Sequence, residues 1–161
     1  MKTTIILLFI AFTTRSCGPF SSLSERDDGM KRAFAVADTT GQERTSFQLG
    51  EAFEMSFAIT NLTGKDQSYY STGPTVIFEI RQADSTIASS VDGLAWIQVV
   101  LSGRILNGRS EKHEWRAPNS PARNPKIELP PGTYTARAVL RYGFTGVAVA
   151  QPSEITFNVV P

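Results

Sequence analysis

Residues 53–60 read Phe-Glu-Met-Ser-Phe-Ala-Ile-Thr, and this stretch decides the fold. A large apolar side chain occupies every second position from Phe53 to Ile59, and smaller or polar side chains lie between them. Successive side chains of a β-strand point to opposite faces, so the pattern predicts a strand with one face on a core and the other in water. The run ends at Asn61-Leu62-Thr63-Gly64, which is typical of a turn.

The same two-residue period recurs at residues 76–81 and 155–160. Further short strand candidates are bounded by Gly, Pro, Asn and Asp, and they cover residues 33–37, 67–72, 85–91, 95–101, 109–115 and 133–141. No stretch beyond the N-terminal segment shows the 3.6-residue period of an amphipathic helix. The sequence therefore predicts an all-β protein, an antiparallel immunoglobulin-like β-sandwich of about seven to nine strands.

A tyrosine near the end of the chain supports this version of the sandwich. The motif Leu-Pro-Pro-Gly-Thr-Tyr at residues 129–134 leads into a strand candidate. Tyr134 fits the tyrosine corner, in which the hydroxyl bonds to backbone a few residues upstream and holds the turn. An ordinary strand tyrosine is the alternative. With one cysteine in the chain, the disulfide of antibody domains is excluded.

The N-terminus has the three-part layout of a secretory signal. Lys2 is followed by an apolar run at residues 5–12, then by polar residues and Cys17. Arg15 ends the run short of the about 20 apolar residues that a membrane-spanning helix needs. We expect a signal peptide at residues 1–16, a solvated tether at 17–31 and the sandwich domain at 32–161.

Ser16-Cys17-Gly18 resembles the end of a bacterial lipobox, in which the cysteine is acylated. This resemblance implies lipidation at Cys17 and a lipoprotein held at a membrane of the cell envelope. An ordinary cleaved signal peptide, with a periplasmic or secreted soluble product, is the alternative.

From the charge balance of the chain, we expect no nucleic-acid partner. Sixteen basic and fifteen acidic residues give a net charge of +1, and loss of Lys2 and Arg15 with the signal peptide would change it to −1. A protein that binds phosphate backbones through charge is expected to be strongly basic.

Residues suited to catalysis are sparse. The chain has one histidine, His113, and one cysteine, which is too few for the nitrogen and sulfur ligands of a typical zinc site. Glu111 and Glu114 are three residues apart, so they point to opposite faces of a strand. We therefore expect no cofactor, no metal and no enzymatic activity.

The connection at residues 117–130 is the first candidate binding surface. It contains four prolines and is flanked or occupied by Arg116, Arg123 and Lys126. Prolines stiffen a loop and reduce the entropy that it loses on docking. An extended Arg123 would suit the acidic pocket of a trypsin-like protease. The alternative is a long sandwich connection that its prolines keep from pairing.

Aromatic residues form the second candidate surface. Tyr70, Tyr142 and Phe144 are candidate contacts of a sugar-binding or protein-binding face, because flat rings and tyrosine hydroxyls suit both. Tyr69 must point away from Tyr70 on the same strand. Trp96 and Trp115 are expected in the core, since sandwiches commonly bury a tryptophan.

Several of these motifs together resemble the bacterial intracellular proteinase inhibitor (BsuPI-type) family. The similar segments are SFQLGE at residues 46–51, the strand from residue 53, FEI at 78–80, SVDGLAWIQ at 90–98, the turn and strand at 106–115, and PGTY at 131–134. The resemblance implies a small immunoglobulin-like sandwich that acts through its loops.

The sequence thus predicts an exported, lipid-anchored, non-catalytic binding domain. Its expected partner is a protein, for which a serine protease is the leading candidate, and its oligomeric state stays open. The alternative is a cell-envelope adhesion or carbohydrate-binding module.

Overall fold

The computed structural model describes residues 22–27, 29–95, 100–123, 125–144 and 151–161. These residues form strands and connections and no helix, which confirms the all-β prediction. The twelve strands are Ser22–Asp27 (β1), Met30–Asp38 (β2), Ser46–Gln48 (β3), Phe53–Asn61 (β4), Gln67–Ser71 (β5), Val76–Gln82 (β6), Ser85–Ser89 (β7), Leu101–Ile105 (β8), Ser110–Ala117 (β9), Gly132–Leu140 (β10), Gly143–Phe144 (β11) and Ser153–Val160 (β12).

The strands form two main sheets and one small sheet. The first sheet has the antiparallel order β1-β2-β4-β9. The second has the order β3-β12-β10-β6-β7, in which β3 runs parallel to β12 and the other pairs are antiparallel. The small sheet has the antiparallel order β11-β5-β8. The architecture is therefore sandwich-like.

Strand β4 follows the alternation from which it was predicted. Its inward side chains at Phe53, Met55, Phe57 and Ile59 are buried, and those between them are partly exposed. Strand β12 alternates in the same way. Burying one apolar face of each strand is the main source of stability for such a sheet.

Aromatic rings from the two main sheets meet in the core. Phe53 of β4 lies 5.0 Å, centroid to centroid, from Phe157 of β12. Phe78 of β6 lies 6.4 Å from Phe34 of β2 and 6.5 Å from Trp115 of β9. The expectation that Trp115 belongs to the core is confirmed. Trp96 lies outside the described residues.

Asn61, at the end of β4, joins the small sheet to the first sheet. Its side chain is fully buried, and its Nδ2 donates hydrogen bonds of 2.8 Å to the carbonyl oxygens of Lys65 and Ile105. Its Oδ1 accepts from the backbone N–H and the hydroxyl of Thr63. A buried amide is tolerated when its donors and acceptors are satisfied in this way.

Tyr134 forms the predicted corner. Its hydroxyl donates a 2.7 Å hydrogen bond to the carbonyl oxygen of Pro130, four residues upstream. The ring is buried against Phe157 at 5.6 Å. Burial raises the pKa of the Tyr134 hydroxyl, because it disfavours the phenolate. The corner therefore fixes the end of the proline-rich loop at the start of β10.

The prediction of a solvated tether is wrong for the described part of residues 17–31. Strand β1 pairs along its whole length with β2, and Met30 is 2% exposed within the core. Asp27 pairs with Met30, and Gly29 just before Met30 has a φ of +79°. In the sequence, Asp27 and Met30 are separated by Asp-Gly. Asp-Gly is a strong hairpin signal because its conformation suits the twist of the strands. The strand pairing of the described residues therefore extends back to Ser22.

Some sequence predictions lie outside the described residues. These are the signal peptide, Cys17 and residues 96–99 of the strand predicted at 95–101. The last residue of that candidate, Leu101, begins β8. Within the described ranges, no helix is long and apolar enough to cross a membrane.

The position of Met30 gives a test of the revised boundary. Met30→Ala should lower the free energy of unfolding by about 2–5 kcal/mol, because it leaves a cavity in the core. Lys31→Ala, at the exposed neighbouring position, should change it by less than about 0.5 kcal/mol. Urea unfolding measures both. If both substitutions changed the free energy of unfolding by equal, small amounts, the result would support a solvated tether instead.

Candidate functional site

A groove lies between residues 48–53 and the proline-rich connection at 117–130. Its volume is about 690 Å³. Phe53 and Leu129 contribute apolar lining, and Pro118 and Pro121 lie along the connection. The size is within the range of ligand-binding clefts, whose walls are also largely apolar.

The connection is held in one shape by side-chain hydrogen bonds. Asn119 Oδ1 accepts from the backbone N–H of Ile127 at 2.7 Å, and Asn119 Nδ2 donates to the carbonyl oxygen of Ile127 at 3.0 Å. Ser120 Oγ donates to the carbonyl oxygen of Asp92 at 2.5 Å. These bonds close the connection on itself and attach it to the turn after β7, so the groove is preformed.

The turn after β7 requires a glycine so that the proline-rich connection can pack closely against it. Gly93 has φ of +73°, and a Cβ at this position would lie 2.8 Å from the carbonyl oxygen of Ala122. An L-residue here would therefore be strained and would also push the connection away.

Arg123 does not extend from the loop as the sequence analysis expected. Its Nη1 donates to Asp92 Oδ2 at 2.5 Å, and both side chains are about two-thirds buried. Asp92 Oδ2 also accepts from the backbone N–H of Ser89 at 2.9 Å. The guanidinium is attracted to this carboxylate and fixes the connection, so it is not free to enter the pocket of a protease.

Unlike Arg123, Arg116 and Lys126 have side chains that are free to contact a partner. Both line the groove, both are exposed, and neither has an ion-pair partner among the described residues. The facing Glu51 is paired with Arg44 and accepts a 2.8 Å hydrogen bond from the backbone N–H of Gln48. Two cations are therefore available on the rim for negatively charged groups of a partner.

The predicted aromatic contacts divide into one exposed and two buried residues. Tyr70 is 69% exposed. Tyr142 and Phe144 are each 6% exposed, so the expectation that they form an open contact surface is wrong. Phe144 pairs with Tyr69 across β11 and β5, which places both on the inner face of the small sheet.

The inner face of the small sheet is an aromatic cluster. The rings of Tyr69 and Tyr142 stack at 3.9 Å, and Phe144 meets them edge-on at 5.9 and 5.2 Å. Gly103 faces Tyr69 across the strands, and a Cβ there would lie 2.3 Å from the tyrosine ring. The missing side chain of Gly103 is what lets the ring lie across β8.

Glu111 connects this cluster to His113, an arrangement that sequence analysis missed. Tyr69 donates to Glu111 Oε2 at 3.0 Å, and His113 Nε2 lies 3.0 Å from Glu111 Oε1. The two-residue spacing of Glu111 and His113 on one strand was the available signal, because it puts both on one face. Glu114 points to the other face, as expected, and pairs with Lys112.

The network has a partial resemblance to a catalytic triad, because Thr75 Oγ1 lies 3.5 Å from His113 Nδ1. That distance exceeds the about 2.6–3.2 Å that joins a nucleophile to its base. Glu111 is also shared with Tyr69 rather than reserved for orienting the imidazole. The arrangement is best described as a hydrogen-bonded support beneath the small sheet. Within the described ranges, no three His, Cys, Asp or Glu residues are grouped for a metal ion.

Comparisons with known proteins give no family. No family model and no curated protein matches the chain. Among solved structures, it is similar to the β-glucosidase from Listeria innocua, with 8% identity and a TM-score of 0.44 over 84% of this chain and 16% of that one. It is also similar to the alkylpurine DNA glycosylase AlkC from Pseudomonas fluorescens bound to DNA containing an abasic site analog, with 13% identity and a TM-score of 0.38 over 78% of this chain and 30% of that one. The chain spans less than a third of either enzyme, and at these values the likeness carries no argument.

The buried tyrosines predict a loss of stability at alkaline pH. Burial, together with the hydrogen bond to Glu111, raises the pKa of Tyr69 to about 12, and burial also raises the pKa of Tyr142. In the unfolded chain the pKa of a tyrosine hydroxyl is about 10. The contribution of Tyr69 and Tyr142 to the free energy of unfolding is therefore complete below about pH 10. It declines above that pH, because the tyrosines of the unfolded state lose their protons first.

Unfolding by urea at intervals from pH 8 to pH 12 measures this decline. Tyr69→Phe removes the ionisable group, so its free energy of unfolding should fall less steeply above pH 10 than that of the natural chain. Equal slopes for the two proteins would contradict the assignment.

Proposed function

We propose that this protein is an exported, lipid-anchored binding domain that holds an extended segment of a protein partner in the groove beside residues 117–130. The observation that carries the proposal is the fixed shape of this groove together with two unpaired cations, Arg116 and Lys126, on its rim. A preformed site loses less conformational entropy on binding than a flexible loop does.

An immunoglobulin-like topology is part of the proposal. The second sheet has the order that strands A′, G, F, C and C′ would have, and β2, β4 and β9 correspond to A, B and E. Tyr134 at the start of β10 corresponds to the corner tyrosine of strand F. In this fold, loops at the ends of the sandwich commonly provide the binding surface.

A serine protease is the leading partner, on the resemblance of the sequence to BsuPI-type proteinase inhibitors. The contact differs from the one that Arg123 suggested, because that side chain is engaged by Asp92. The groove instead receives a surface segment of the protease, and Arg116 and Lys126 approach its carboxylates. Since both cations are exposed, their contribution decreases with added salt.

Inhibition assays test the proposal. A panel of serine proteases is titrated with the purified chain and with the double variant Arg116→Ala, Lys126→Ala. The variant should inhibit about two- to thirtyfold more weakly at low salt, because each of two exposed ion pairs contributes about 0.2–1 kcal/mol. The matched control is Lys31→Ala, Lys65→Ala, which removes two exposed cations outside the groove.

The outcomes separate the parts of the proposal. Equal inhibition by the groove variant and the natural chain would show that the groove is not the contact. Absence of inhibition across the panel would remove serine proteases as the partner class.

The anchor has its own test at Cys17. Cys17→Ser removes the acylated thiol, so the protein should move from the membrane fraction to the soluble fraction and lose incorporation of labelled fatty acid. A single acyl chain binds a membrane weakly, and stable anchoring requires more than one chain or an added signal. Retention of the variant in the membrane fraction would contradict lipid anchoring.

A further inference from the structure

The outer face of the small sheet carries an uncovered aromatic ring. Tyr70, in the middle strand β5, is 69% exposed, whereas its neighbour Tyr69 packs on the inner face. A shallow depression of about 390 Å³ surrounds this position, and its lining includes Ser68, Ser102 and Arg104. This depression is separate from the groove beside residues 117–130, with which it shares no lining residue.

The residues opposite Tyr70 are small. Its cross-strand partners are Gly143 on β11 and Ser102 on β8. A Cβ added to Gly143 would meet no atom within 4 Å. The ring is therefore accessible from both neighbouring strands, because neither partner has a side chain large enough to cover it.

Hydrogen-bonding groups lie beside the ring on the same face. Ser68 and Ser102 have hydroxyls without a partner among the described residues. Arg104, opposite Ser68, lies with its Nη2 3.5 Å from Asp66 Oδ2, and the two side chains are 60% and 43% exposed. The face thus offers donors and an acceptor, and its two charges balance.

The sheet beneath this face is fixed in position. Tyr69 is stacked on Tyr142 and hydrogen-bonded to Glu111 on the inner side. Asn61 holds the end of β8 through the carbonyl oxygen of Ile105. A recognition surface needs this kind of support from a second layer of contacts.

We propose that this face binds a β-linked pyranose oligosaccharide through Tyr70. The apolar C–H face of an all-equatorial pyranose stacks on the phenol ring, and its neighbouring hydroxyls bond to the serine hydroxyls and to the Arg104–Asp66 pair. Adjacent hydroxyls each donate and accept, so a paired guanidinium and carboxylate complement them. The charge balance of the face suits a neutral sugar.

A protein partner fits this face less well. Protein contact centres usually surround an aromatic anchor with further apolar residues that exclude water. Here the ring is surrounded by serine, glycine and an exposed ion pair. The same composition keeps the site open to a polar, hydrated ligand.

Titration calorimetry with the full-length chain in detergent tests the proposal, with cellohexaose and chitohexaose as the probes. Saturable binding to at least one is expected, with affinity reduced about tenfold or more in Tyr70→Ala. Tyr70→Phe keeps the ring and should retain most of the affinity. Ser102→Leu should also weaken binding, because the larger side chain covers the ring that remains.

Lys31→Ala is the matched surface control, and each variant is checked for an unchanged free energy of unfolding. Absence of saturable binding to both hexasaccharides by the natural chain would overturn the proposal. Equal affinity of Tyr70→Ala and the natural chain would do so as well.

Discussion

The structure depends on the contact between aromatic rings of two facing sheets. Phe53 on one sheet and Phe157 on the other lie within 5.0 Å, and Phe47 stacks on Phe53 at 4.6 Å. Burial of these rings fixes how the sheets face each other, since close packing tolerates few arrangements. Phe53 also lines the groove, so the core and the proposed binding site share an element. A substitution that disturbs the packing of Phe53 would therefore alter the groove even when every residue on its rim is kept.

A second constraint is polar and positions the small sheet. The buried Asn61 amide satisfies the carbonyl oxygen of Lys65, in the turn that follows β4, and that of Ile105, which is 44 residues away in sequence. The aromatic cluster of Tyr69 and Tyr142 then packs beneath that sheet. Apolar packing and a satisfied amide act together here, because the hydrogen bonds specify a position that packing alone would leave less defined.

The sequence patterns of single strands and turns predicted the features that depend on neighbouring residues alone. Alternation in the sequence gave β4, β6 and β12, and the Pro-Gly-Thr-Tyr motif gave the bond from Tyr134 to Pro130. Strand β1 was missed because its charged residues lack an apolar alternation, although the Asp-Gly sequence that follows it was a usable signal. The pairing of Arg123 with Asp92 and the burial of Tyr142 depend on contacts between distant segments, which no local period encodes. The site was therefore less predictable than the fold.

The burial of Asn61 also determines how the chain would respond to glycosylation. Residues 61–63 read Asn-Leu-Thr, which is an acceptor sequence for N-linked glycans in a eukaryotic secretory pathway. In the folded protein the Asn61 nitrogen is engaged with two carbonyl oxygens and has no access to solvent. A glycan attached before folding would replace one of the two Nδ2 hydrogens and so remove one of these hydrogen bonds. Its bulk would not fit at the buried position, so the small sheet could not dock. Production in a host that lacks this modification therefore preserves the native arrangement.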